Sequence, residues 1–106
     1  MFAVRFALAF HPLVRADLLE AFGWYEGQLP ELGNRFEAEV AEIFRRVARE
    51  PMVHRVRFHD IRRLNLRRFP YGVFYFTTAQ TVVVLGVLHG ARDSEQELAR
   101  RREQHR

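Results

Sequence analysis

Arginine is the residue type with which this chain can do most chemistry, and it is concentrated in the C-terminal half. All 17 lysine-or-arginine positions are arginine. Residues 1–52 hold six arginines and eight acidic residues, a balance of −2, whereas residues 53–106 hold eleven and five, a balance of +6. Because guanidinium groups bind anions, this asymmetry predicts an anionic partner for the second half: nucleic acid, a phosphate or an acidic protein segment.

Other chemistries have less support in the sequence. Without cysteine there is no disulfide framework, thiolate metal site or cysteine nucleophile. The five histidines show no close ligand spacing with carboxylates, so we predict no metal site and no cofactor. No apolar run reaches the roughly 18 residues that span a membrane. The short apolar N-terminus, interrupted by Arg5, is interpreted as a strand and not as a signal peptide. We therefore expect a cytoplasmic protein with no membrane partner.

Hydrophobic periodicity divides the chain into one strand, two helices and four further strands. Apolar side chains recur at helical spacing on both sides of a short break at residues 29–33. We expect helices at about residues 13–29 and from the break to about residue 50, with Pro51 ending the second. Strands are predicted at residues 2–10, 53–59, 61–69, 73–78 and 81–89.

Each predicted element has a face that should be buried. The first helix carries the apolar stripe Val14, Leu18, Phe22, Tyr25 and Leu29, and the second carries Phe36, Val40, Ile43, Phe44 and Val47. Val56 and Phe58 should point inward, and residues 70–72 should form a turn. The β-branched run at 81–89 predicts a central strand that is buried on both faces.

The order of elements, β-α-α-β-β-β, predicts an α+β fold. In this fold a helical hairpin packs on one face of a mostly antiparallel sheet. We expect one domain over residues 1–93. Residues 94–106 form a polar, Arg-rich C-terminal tail, either a frayed helix or a disordered segment.

Five short motifs occur in one order along the chain. They are ADLLEAFGWY at 16–25, LPELGNRF at 29–36, EP at 50–51, RRLNLRRFPY at 62–71 and VLGVLHGAR at 84–92. Together they resemble the ParE/RelE superfamily of toxins from bacterial type II toxin–antitoxin systems. They match its Trp-Tyr helix, its P-x-L-G-x-R-F turn, its usual end to helix two, its R-F-P-Y turn and its last strand ending in H-x-x-R. The resemblance covers residues 8–93.

The resemblance implies a toxin of the plasmid-stabilisation type that is neutralised by a small antitoxin. Members similar to ParE poison DNA gyrase without cutting anything, whereas members similar to RelE are endoribonucleases that cleave mRNA on the ribosome. The F-P-Y turn and the Trp-Tyr helix favour the ParE branch. The absence of lysine departs from the RNase pattern, in which Lys often stands beside Arg. We therefore expect a non-catalytic inhibitor of DNA gyrase, with an mRNA interferase or an inactive partner-binding homologue as alternatives.

Different residues would carry these alternatives. An RNase needs a base, an acid and cations for the phosphorane charge. The candidates are His89 as the acid, Arg68 and Arg92 as the cations, His59 or Glu95 as the base, and Tyr71 or Tyr75 to stack a nucleobase. A structural alternative for His89 is a strand-terminal side chain hydrogen-bonded to the backbone.

A binding toxin would use a basic sheet face instead. The candidates for target contact are Arg62, Arg63, Arg67 and Tyr71. The basic outer face itself is predicted to carry Arg55, Arg57, Arg63 and Arg67. These arginines have an alternative interpretation as the solvated outer face of an edge hairpin. The resemblance further implies that an amphipathic antitoxin segment contacts Trp24, Tyr25 and Phe36, with acidic side chains toward the Arg-rich half, in a possible toxin–antitoxin hetero-oligomer.

Overall fold

Three α-helices and five strands form the part of the chain that the computed structural model describes, residues 5–105. The N-terminal half holds β1 (Ala7–Phe10), α1 (Val14–Gln28) and α2 (Leu32–Arg49). After a short 3₁₀ turn at Pro51–Val53 come β2 (Val56–Phe58), β3 (Ile61–Asn65), β4 (Tyr71–Thr77), β5 (Thr81–His89) and α3 (Glu95–Gln104). None of the helices in this range is long and apolar enough to cross a lipid bilayer. Residues 2–4 of the predicted first strand lie outside the described residues.

The strands form one sheet in the order β1-β5-β4-β3-β2. β1 pairs in parallel with β5, and the other neighbours are antiparallel. The predicted α+β class, with a mostly antiparallel sheet and a helical hairpin on one face, is confirmed. The predicted order β-α-α-β-β-β is one strand short, because all four strands predicted after the helices form, and α3 follows them.

The core has two layers, one on each face of the sheet. On one face the α1–α2 hairpin covers residues such as Val73, Tyr75 and Val84. On the other face Leu98 of α3 packs into a second cluster with Phe74 and Leu85. Residues 82–88 of β5 are all buried, which confirms the prediction of a central strand covered on both sides.

The buried stripe of α2 was correctly predicted. Phe36, Val40, Ile43 and Val47 are buried against the sheet, and Phe44 is half-buried. A helix with apolar residues at this spacing is held mainly by packing of that face.

We expect Ile43→Ala to lower the free energy of unfolding by about 2–5 kcal/mol, because the side chain is 1% exposed and its removal leaves a cavity in a packed core. Chemical denaturation followed by circular dichroism measures the change. Ala41→Gly, in the same helix, is the control for backbone propensity alone and should cost about 1 kcal/mol. A loss below about 0.5 kcal/mol for Ile43→Ala would contradict the packing.

The contacts in the turn between α1 and α2 explain which residues occupy it. Glu31 adopts a left-handed backbone (φ 76°) just before α2 begins. The Glu26 carboxylate accepts the N–H groups of Glu31 and Gly33, both at 2.9 Å. A Cβ atom at Gly33 would lie 2.7 Å from the Phe22 ring, so glycine lets the two helices approach closely.

The predicted strand at residues 53–59 is wrong in extent and in orientation. Residues 51–53 form a 3₁₀ turn, and β2 begins only at Val56. Val56 is exposed, although it was predicted to point inward, and Phe58 is half-buried. The physical reason is that β2 is a three-residue edge strand whose register against β3 shifts between these two residues.

The turn predicted at residues 70–72 lies earlier in the chain. Tyr71 and Gly72 already belong to β4, and Gly72 pairs with Asn65. The reversal occupies residues 66–70, where the N–H of Leu66 donates to the Tyr71 carbonyl. A Cβ atom at Gly72 would lie 2.5 Å from the Arg63 Nε. The glycine therefore leaves room for the Arg63 side chain and does not serve to form a turn.

The segment after Arg92, expected as a frayed helix or a disordered tail, forms α3 and packs on the sheet. Its Leu98 is fully buried, and its Arg101 is 4% exposed. A β-bulge in the pairing of β4 with β5 brings Gly86 under the helix, and a Cβ atom there would lie 3.0 Å from Arg101 Nη1. The domain boundary at residue 93 stays a prediction.

Candidate functional site

Four of the five motifs contribute side chains to one aromatic cluster between the hairpin and the sheet. Tyr25 lies 4.7 Å from Phe69 and 5.4 Å from Phe36, measured between ring centroids. Tyr71 lies 5.2 Å from Phe36 and equally far from the ring of His89. Such edge-on and offset pairs contribute beyond simple burial. The cluster therefore fixes the loop between β3 and β4 against α1 and α2.

An open groove runs beside this cluster. Its volume is about 640 Å³, and its lining includes Tyr25, Leu32, Ala38, Phe69 and Pro70. Arg35, Arg67 and Arg68 line the same groove together with Glu39 and Glu42. The Glu39 carboxylate accepts the backbone N–H groups of Arg67 and Arg68, the second at 3.2 Å, and so ties the loop to α2. The groove is apolar with a charged rim.

The three residues predicted to contact an antitoxin differ in their exposure. Trp24 is 63% exposed on α1 and is open to a partner. Tyr25 is half-buried and lines the groove, and its burial raises the pKa of its hydroxyl. Phe36 is 0% exposed and offers no surface to a partner in this structure, so its contact with an antitoxin stays a prediction. Its ring instead supports the aromatic cluster from the core.

The residues predicted to contact a target are spread over both faces of the sheet. Arg62 lies opposite Tyr75 and donates from Nη1 to the carbonyl oxygens of His54 (2.6 Å) and Met52 (3.3 Å), which gives it a structural role. Arg63 lies opposite Phe74 on the α3 face. Arg67 lines the groove, and Tyr71 belongs to the aromatic cluster. The fold therefore does not place these side chains on a single basic face.

Three arginines do converge elsewhere. Arg57, Arg63 and Arg92 line a cavity of about 200 Å³ between the β2–β3 hairpin and the start of α3, together with Phe58, Phe74, Asp93, Ser94, Glu95 and Leu98. We call it the arginine pocket. Burial and then the nearby charge of Arg57 lower the pKa of Arg63. From the sequence, Arg57 is expected only as part of a basic outer face, because no spacing in the sequence indicates that Arg92 lies near it.

The groups that RNA cleavage would need are not joined in one site. His89 and Arg92 line a small cavity of about 110 Å³ that also contains Tyr71, Asp17 and Glu20, whereas Arg68 lines the groove. Glu95 lines the arginine pocket, and His59 occupies the β2–β3 turn with φ 52°. The His89 Nδ1 accepts the Ala91 N–H at 3.0 Å, which matches the structural alternative for this side chain.

Tyr75, the other candidate for stacking a nucleobase, is fully buried and so has no surface for a base. Its hydroxyl donates to the Pro51 carbonyl at 2.6 Å. This bond joins β4 to the 3₁₀ turn that follows α2. Burial raises the pKa of this hydroxyl to about 12.

We expect Tyr75→Phe to cost about 1–3 kcal/mol at neutral pH, because the buried Pro51 carbonyl loses its partner. An unfolded tyrosine ionises near pH 10, while folded Tyr75 keeps its proton to about 12. The wild-type contribution should therefore be complete below pH 10 and decline as pH rises toward 12. Denaturation of both proteins across this range measures the difference, and a gap that widens with pH would contradict the argument.

One buried ion pair is not predicted from the sequence. The Asp17 carboxylate of α1 accepts a hydrogen bond from Arg101 Nη1 at 2.7 Å. The side chain of Asp17 is 8% exposed and that of Arg101 is 5% exposed. The same carboxylate accepts the Val87 N–H at 3.1 Å, and Arg101 also donates to the Leu85 carbonyl at 3.0 Å. Glu97 and Arg101, four residues apart, were the signal for a helix here, since such pairs stabilise helices.

Comparison with known proteins gives consistent findings. A family model described as "ParE toxin of type II toxin-antitoxin system, parDE" matches residues 8–94. Toxin ParE2 of Mycobacterium tuberculosis, from strains CDC 1551/Oshkosh and H37Rv, is 33% identical over 84 residues, which are 78% of this chain and 80% of the relative.

Two solved structures have a similar fold. One is a chain of the chromosomal ParDE toxin–antitoxin system from P. aeruginosa, with a TM-score of 0.72 and 16% identity over 80% of this chain and 96% of that one. The other is a chain of the toxin–antitoxin complex RelBE2 from Mycobacterium tuberculosis, with a TM-score of 0.58 and 28% identity over 86% of this chain and 98% of that one. At 16% identity the first likeness concerns the fold alone.

Proposed function

The chain belongs to the ParE family of toxins of type II toxin–antitoxin systems, and from that premise we propose that it binds DNA gyrase without catalysing a reaction and is neutralised by a cognate antitoxin. The observation that carries the non-catalytic part is the separation of the catalytic candidates. His89 and Arg92 share one small cavity, and Arg68 lines a different one. Neither of the predicted bases, His59 and Glu95, lines either cavity.

This separation matters because an RNase depends on close geometry. Proton transfer requires the acid or base within hydrogen-bond reach of the reacting group, about 2.6–3.2 Å. The His89 ring is held by the Ala91 N–H and packs on Tyr71, so its position is explained by local structure. A toxin that acts by binding needs no such convergence.

The groove beside the aromatic cluster is the proposed antitoxin site. It offers apolar surface from Leu32 and Phe69 and the hydroxyphenyl ring of Tyr25, with Arg35 and Arg67 on its rim. Apolar side chains of an amphipathic segment would fill the groove, while acidic ones would meet the arginines. The toxin–antitoxin complexes among the structural neighbours support a partner of this kind.

The test is a parallel assay of antitoxin-free protein. We expect inhibition of gyrase supercoiling and no ribosome-dependent cleavage of mRNA. Cleavage without gyrase inhibition would replace the proposal with an mRNA interferase. Neither effect, together with retained antitoxin binding, would identify an inactive partner-binding homologue.

The antitoxin site has its own prediction. Reversing Arg67 to Glu should weaken antitoxin binding roughly tenfold at low salt, because an acidic partner would lose an attractive charge and meet a repulsive one. The difference should shrink as ionic strength rises. Arg49→Glu, on an exposed part of α2 outside the groove, is the matched control. Equal effects of the two substitutions would point to net charge and not to this groove.

A further inference from the structure

Arg63 is held in a fixed position across the sheet. Its guanidinium lies 5.0 Å from the centre of the Phe74 ring, and its Nε donates to Asn65 Oδ1 at 2.5 Å. Glycines stand on either side of it: a Cβ atom at Gly72 would lie 2.5 Å from the Nε, and one at Gly90 would lie 3.1 Å from Nη2. Because these two residues have no side chains, there is space for the Arg63 guanidinium over the Phe74 ring.

The arginines of the pocket lack the carboxylate partners that other arginines nearby possess. In α3, Arg100 pairs with Glu97, Arg101 with Asp17 and Arg102 with Asp60. Among residues 5–105, Arg57, Arg63 and Arg92 form no ion pair. Asp93 and Glu95 line the same pocket but bind none of the three, and Asp93 is turned toward the Glu95 N–H at 3.5 Å.

An arginine fixed in place with both terminal nitrogens free is suited to an oxyanion. The planar guanidinium of Arg63 already rests on an aromatic ring, so little conformational entropy is lost when an anion binds its Nη groups. Arg57 and Arg92 add positive charge from the two sides of the pocket. Three converging guanidiniums repel one another, and an anion would relieve that repulsion.

We propose that the arginine pocket binds a backbone phosphate of single-stranded nucleic acid. Phosphate matches the fork of N–H donors on arginine. The half-buried ring of Phe58 lines the same pocket and gives a neighbouring base an aromatic surface on which to stack. His59 packs edge-on against this ring at 5.7 Å between centroids. An acidic peptide would use the arginines but not the aromatic rings. The inference concerns binding only and does not depend on the gyrase proposal.

The test uses antitoxin-free toxin and a short fluorescein-labelled single-stranded DNA, followed by fluorescence anisotropy. Arg63→Gln and Arg92→Gln should each weaken binding about tenfold, the loss expected for one charge-assisted hydrogen bond. The slope of log affinity against log salt should fall by about one per substitution. Arg45→Gln, on exposed α2, changes the net charge equally and should bind like the wild type.

Several outcomes decide the matter. Arg92 is exposed and makes no side-chain hydrogen bond within the described residues, so its substitution tests the pocket even if Arg63→Gln fails to fold. Inorganic phosphate should compete with the oligonucleotide at high concentration only. The proposal is overturned if Arg92→Gln binds like the wild type, or if Arg45→Gln loses as much affinity. It is also overturned if polyglutamate displaces the oligonucleotide as well as unlabelled DNA does, or if inorganic phosphate binds and the oligonucleotide does not.

Discussion

Arg101→Met is expected to destabilise the fold by about 3–5 kcal/mol, the usual cost of removing one partner from a buried ion pair. Asp17 would keep its charge at a position where its side chain is 8% exposed. The Leu85 carbonyl would also lose a donor. Methionine roughly preserves the apolar volume of the arginine stem, so the loss measured by denaturation would report the charge and its hydrogen bonds.

Arg100→Met is the matched control for this experiment. Arg100 belongs to the same helix, but its side chain is 65% exposed and its ion pair with Glu97 faces solvent. Such pairs contribute about 0–1 kcal/mol. Combining Arg101→Met with Asp17→Asn removes the stranded charge and keeps an acceptor for the Val87 N–H. The double variant should recover part of the stability, and equal stability of Arg101→Met and Arg100→Met would refute the importance of the buried pair.

His89→Ala should leave growth inhibition nearly unchanged in cells that express the chain without antitoxin. If His89 were the proton donor of an RNase, its removal would lower the cleavage rate by roughly 10²–10⁴-fold and should rescue growth. The structure gives the ring local partners, the Ala91 N–H and the Tyr71 ring. Neither predicted base, His59 or Glu95, lines the cavity that His89 shares with Arg92. A binding toxin loses little from a single exposed side chain at the end of a strand.

Charge reversal supplies the comparison. Arg63→Glu should reduce growth inhibition if anionic surfaces contribute to target engagement, since a cluster of cations sets both encounter rate and affinity. Thermal denaturation of each purified variant separates loss of binding from loss of fold. Rescue of growth by a folded His89→Ala, with Arg63→Glu still toxic, would replace the gyrase proposal with the RNase alternative.

The sequence was most informative where one physical signal dominated. The stripe of α2 is amphipathic throughout, and its predicted core residues are buried. The run of β-branched residues in β5 indicated a strand with two covered faces, and residues 82–88 fulfil it. In both cases burial of apolar surface determines the structure, and a buried face requires apolar residues at a regular spacing that can be seen in the sequence.

It was least informative where tertiary contacts override local pattern. α3 is polar along most of its length, and its attachment depends on Leu98 and on an ion pair with a residue far away in sequence, Asp17. Val56 alternates like a core residue but lies on an edge strand with a register shift. Phe36 belongs to a recognisable motif, yet a motif does not state which of its members face outward.

The sequence indicated which types of residue the candidate sites would contain, but not which residues would come together in space. Arginine enrichment drew attention to the second half of the chain, but it did not show where the side chains of Arg62, Arg63 and Arg67 would lie relative to one another. Strand pairing sends Arg62 and Arg63 to opposite faces, and Arg62 is occupied by two carbonyl oxygens. Convergence of Arg57 with Arg92 arises only when α3 docks, which no spacing in the sequence encodes.

The parallel pairing of β1 with β5 has a consequence for when the protein can fold. Ala7 lies opposite Thr81, so the sheet closes only after most of the chain has been synthesised. Contacts of such high sequence separation require loop closure before they stabilise anything, and they slow folding. A nascent chain that lacks β5 has no centre for its sheet, because β5 joins β1 to β4. Under the proposed function, the chain therefore becomes harmful to its host only after β5 has been translated.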